Sequence, residues 1–75
     1  IQMKHKDFIK ELQKIFEKKK IDEKTKLSNL NFDSLKTLEI LSFADSNFSK
    51  LNIDANKLNK CKNIADLVKI FKIKK

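Results

Sequence analysis

Apolar residues along this chain recur at helical intervals in some stretches and break off between them. At 100° per residue from Phe8, the positions Phe8, Ile9, Leu12, Ile15 and Phe16 fall within about 120° of arc, which predicts an amphipathic helix near residues 5–19. Lys10, Lys14 and Lys18, with Glu11 and Glu17 among them, line the far side as a solvated face; the same pattern would also serve a helix lying on a membrane surface. From Lys20 to Asp33 the periodicity fades, and Leu27, Leu30 and Phe32 read as anchors of a loop lying on the core. Loops of that length are unusual in a small bundle and are often functional.

A second helix is expected from Asp33 or Ser34 to about Phe48, because Asp and Ser both suit a helix start. On its wheel Leu38, Ile40, Leu41, Ala44 and Phe48 share about 160° of arc, interrupted by Thr37 and Asp45. Leu35 and Phe43 fall instead among Lys36, Glu39, Ser42, Ser46 and Asn47, on the expected solvent side. Two outward apolar residues on one face, with Lys36, Glu39 and Asp45 near them, predict a docking surface for a partner. A connector carrying Leu51 and Ile53 leads to a short helix over about 55–60 with Asp54 as its cap. Asn63 followed by Asp66 has capping-box spacing, and Ile64, Leu67, Val68 and Phe71 continue at i, i+3, i+4 and i+7, so a last helix starts there. Lys72 to Lys75 suit a helix C-terminus.

Composition narrows this to an all-α bundle of three main helices and one short one, with a long loop between the first two. Gly and Pro are both absent, which removes the usual residues of tight turns and phosphate-binding loops. With 75 residues the chain is read as one domain, 1–75, with an ordered core over about 5–72. So short a chain favours a carrier, binding or interaction module over an enzyme with its own walled cleft. Met3 is the expected native start, preceded by two foreign residues. No apolar run approaches the roughly 20 residues of a membrane span, and the single cysteine permits no internal disulfide, so a cytoplasmic monomer without stable membrane insertion is expected.

The net charge of +8 is uneven. Residues 1–26 carry nine Lys against five acids and residues 49–75 eight Lys against two, whereas residues 27–48 hold one Lys against three acids. Such a charge raises nucleic-acid binding as an alternative. Arg is absent, however, and the acidic middle segment would repel phosphate, so no nucleic-acid partner is expected. His5 lacks a second ligand for a metal site, and Cys61, flanked by lysines that could lower its pKa, is expected to be a buried structural thiol.

The triplet Asp33-Ser34-Leu35 sits where the long loop meets the second helix. Chance alone would supply it in roughly 0.05 of chains of this composition. Read with the approach from Asp22 to Phe32, the continuation Leu38-Glu39-Ile40-Leu41, and Phe48, Ile53 and Ile64-Ala65-Asp66-Leu67-Val68, the chain resembles the acyl carrier protein family over about residues 5–72. The resemblance implies that a phosphopantetheinyl transferase attaches a 4′-phosphopantetheine arm, from coenzyme A and with Mg²⁺, to the Ser34 hydroxyl. Asp33 would help position that metal. The arm's thiol would hold an acyl or aminoacyl group as a thioester for loading and acyl-transfer enzymes, as in fatty-acid synthesis, the carrier itself catalysing nothing and binding no resident metal. The interior near the second and third helices would shelter an acyl chain. This chain departs from the family in being basic, in having Asn31 where a glycine is common, in having Lys36 at a usually acidic position, and in its thinned Asp45-Ser46-Asn47 cluster. These departures favour dedicated partners over the general fatty-acid machinery. The alternative is an unmodified interaction module in which Ser34 is only a helix cap.

Overall fold

The structure, a computed structural model, describes residues 3–73. It is all-helical: α1 His5–Phe16, α2 Ser34–Asn47, α3 Ala55–Asn59 and α4 Ile64–Ile70, with 3-10 turns at Leu27–Leu30 and Ser49–Leu51 and no strand among the described residues. Residues Phe8, Leu12 and Phe16 of α1 are buried, flanked by half-buried Ile9 and Ile15. The expected stripe is therefore used against the core, and α1 exposes Lys6, Asp7, Lys10 and Lys14. No described helix is long and apolar enough to cross a membrane.

Helix α1 ends three residues before its expected limit. Glu17 takes a left-handed conformation at φ 56°, and the Lys18 N–H donates to the Gln13 carbonyl at 3.1 Å, closing the helix in the way a C-terminal glycine usually does. The turn redirects the chain so that Ile21 can be buried. Glycine being absent, the other positive-φ positions fall to Asn31, Asn52 and Lys72, and asparagine is the residue that tolerates this region best after glycine. Lys74 and Lys75, counted above toward the last helix end, and Ile1 and Gln2 lie outside the described residues.

The loop between α1 and α2 is pinned rather than slack. Helix α4 begins with amides that have no partner inside the helix. The Glu23 and Thr25 carbonyls accept those of Ala65 and Ile64 at 3.0 Å each, and the Asn63 side chain accepts that of Asp66. The Leu27 N–H donates in return to the Lys62 carbonyl at 2.9 Å. Asn63 and Asp66 form the expected capping box. The N–H of Lys62, 2.8 Å from the Asp66 carboxylate, holds that group below its ordinary pKa, against partial burial and with help from Asn63, Lys69 and the Lys62 charge. Leu27 and Leu30 are buried and Phe32 half-buried, as the anchor reading required.

Helices α1 and α2 run antiparallel: Phe8, early in α1, faces Phe43, late in α2, at 6.0 Å between ring centroids, while Ile15 meets Lys36. One core of Phe8, Leu12, Ile40, Leu58, Ile64, Leu67 and Phe71 fills the middle. On α2 the structure corrects the wheel. The buried arc is turned by about 60° from the one chosen on periodicity, so Phe43, expected outside as a docking residue, packs inward against Phe8, Phe48 and Phe71. Leu38, expected inside, is 62% exposed. Three aromatic partners outweigh the lone leucine contact that the other rotation would bury.

Candidate functional site

Ser34 is the first residue of α2 and is exposed. Asp33 stands just outside the helix in extended backbone, and its Oδ1 accepts the Lys36 N–H at 3.0 Å; its carbonyl accepts both the N–H (2.9 Å) and the hydroxyl (3.0 Å) of Thr37. Asp33 is thus the cap, which leaves the Ser34 hydroxyl free of that task. The approach from the loop turns at Asn31, left-handed at φ 54°. Asparagine tolerates that conformation best after glycine, so the turn forms in a chain that has no glycine.

Leu35 and Leu38, 61% and 62% exposed, are the large hydrophobics left outside among the described residues, and both lie on the first turns of α2 beside Ser34. Asp45 is exposed two turns further along the same face. Leu35 was legible from the wheel. Leu38 was not, although Asp45, only about 20° from it on the wheel, marked that side as solvent.

Lys36 is not the free docking group that its position in the sequence implied. Its side chain is only 16% exposed; the Nζ donates to the Ile15 carbonyl at 2.8 Å and lies 3.6 Å from the half-exposed Glu39 carboxylate. A cation placed on the last-turn carbonyls of α1 satisfies an orphan acceptor and the negative end of that helix. It ties α1 to the first turn of α2. Phe16 and Phe32, 6.1 Å apart between centroids, add an aromatic contact between α1 and the residues just before the triplet.

The other candidates lie on other elements, Cys61 between α3 and α4 and His5 at the start of α1. Cys61, expected to be a buried thiol, is half-buried and donates to the Lys57 carbonyl at 3.4 Å; burial, and then the charge of Asp66, push its thiol pKa up. The Nε2 of His5 lies 3.7 Å from Glu23 and has no hydrogen-bond partner. No group of three metal-ligating side chains occurs among the described residues. Between α2 and α3, where an acyl shelter was expected, lies an open groove of about 400 Å³ floored by Leu41, Ala44 and Ile53. A cleft of about 540 Å³ sits at the opposite end of α2 from Ser34, between Phe48, Leu51 and Phe71.

No known family model, curated protein or solved structure matches the chain.

Proposed function

We propose that this chain is an acyl-carrier-type protein that bears a 4′-phosphopantetheine arm on Ser34 and delivers an acyl or aminoacyl group to partner enzymes in the cytoplasm. The observation that carries the reading is an exposed serine at the start of α2, relieved of capping by Asp33 and bordered by two exposed leucines. The residues fit the group: the first amides of a helix and the positive end of its dipole face a phosphodiester placed there. When bound, the arm would supply a thiol that carries the cargo as a thioester. The chain's own part is positional. Asp33 fixes the turn, Lys36 fixes the angle of α2 on α1, and Leu35 and Leu38 offer apolar area to the enzymes that receive the serine. The protein is not itself an enzyme in this reading, and a phosphopantetheinyl transferase is its first partner.

Intact-mass measurement after co-expression with a broad-specificity phosphopantetheinyl transferase tests this. The expected result is one added arm on the wild type and none on Ser34→Ala. An unmodified wild type overturns it and leaves an unmodified interaction module; an arm that persists in Ser34→Ala overturns Ser34 as the attachment point.

A further inference from the structure

The fold brings a lysine run to the Ser34 end of the bundle. The Lys36 Nζ reaches the Ile15 carbonyl, and Phe16 packs on Phe32, so the C-terminal turn of α1 lies against the residues that flank Ser34. The chain beyond that turn stays with it: the Lys18 N–H donates to the Gln13 carbonyl, and the Gln13 side chain donates to the Lys19 carbonyl at 2.9 Å. Lys18, Lys19 and Lys20 are all exposed there. Lys36, on the first turn of α2, is turned inward and paired with Glu39.

From this juxtaposition, and resting on the carrier reading, we infer that the enzymes which engage Ser34 present an acidic surface to the Lys18–Lys20 run beside an apolar contact for Leu35 and Leu38. Opposite charge at the rim of an interface raises the rate of productive encounter, while like charge suppresses wrong partners. The run therefore selects against enzymes built for acidic carriers. A protein surface fits better than a membrane or a nucleic acid. The α2 face also carries Asp33 and Asp45, both exposed, and a uniformly anionic partner would be repelled by them.

The test measures the rate of arm loading at low and at raised salt for the wild type, for Lys18→Glu/Lys19→Glu/Lys20→Glu, and for the matching triple Gln variant. Two enzymes are used: the transferase of the organism that encodes this chain, and one from a fatty-acid system with acidic carriers. All three lysines are exposed, so the variants are expected to fold, and a circular-dichroism melt checks this. For the first enzyme the Glu variant is expected to lose about tenfold in kcat/KM at low salt, with the Gln variant between and the difference shrinking as salt rises. For the second it is expected to gain. Loading of all variants at equal rates overturns the inference and leaves the carrier reading standing; no loading of the wild type by either enzyme overturns both. Binding of random RNA or anionic vesicles that the Glu variant loses, with loading rates unchanged, overturns the inference in favour of a polyanion.

Discussion

The two ends of α2 are held by different forces. At its C-terminal end Phe43 and Phe48 join Phe8 and Phe71 in a cluster whose centroids lie 5.0 to 6.0 Å apart. At its N-terminal end, hydrogen bonds accepted by Asp33 and donated by Lys36 hold the helix, and the leucines face water. Rings buried together stabilise in proportion to the area they remove from water and to their fit. Capping and cross-helix hydrogen bonds contribute less, but they fix an angle without covering the surface. Under the carrier reading, an end that enters another protein's active site needs the second arrangement.

The largest effect that would sharpen this contrast is at Phe8, which is fully buried. Phe8→Ala is expected to cost about 3–5 kcal/mol by urea unfolding, most of the stability available to so small a domain. A loss below about 1 kcal/mol would break the comparison at its aromatic end. Next comes Lys36→Met, which keeps the stem and deletes the bond to Ile15; it should cost about 1.5 kcal/mol by the same measurement. If the two variants prove equally costly, the division of labour along α2 is wrong. The smallest effect is expected at Leu35→Ser and Leu38→Ser, each within about 0.5 kcal/mol of wild type because the side chains are already in water. Under the carrier reading these two should nevertheless slow arm loading, and a variant that keeps its loading rate while losing stability would place its leucine in the core after all.

Much of the local design was legible in the residues themselves. Asp33, Asp54 and Asn63 cap α2, α3 and α4 as their side-chain chemistry predicts, since capping depends on residues three apart in sequence. The α1 stripe was legible for a similar reason: one dominant apolar arc leaves only one way to turn the helix. Helix α2 has apolar residues on nearly every side, and its rotation was misread, with Phe43 and Leu38 exchanged. Its wheel held two defensible arcs, and the choice lay with Phe8 and Phe71, which are distant in sequence. Lys36 was misplaced for the same cause, because the carbonyl it serves belongs to α1.

The sequence by itself determined where helices start, which loop residues anchor, and that an unusual Asp-Ser-Leu junction opens α2. Those features rest on neighbours within a turn or two, so local chemistry suffices. Only the tertiary structure decided which way α2 faces, that Lys36 joins two helices instead of facing solvent, and that Lys18 to Lys20 share an end with Ser34. Each of these depends on contacts between segments far apart along the chain, and their geometry exists only once the core has closed around the phenylalanines.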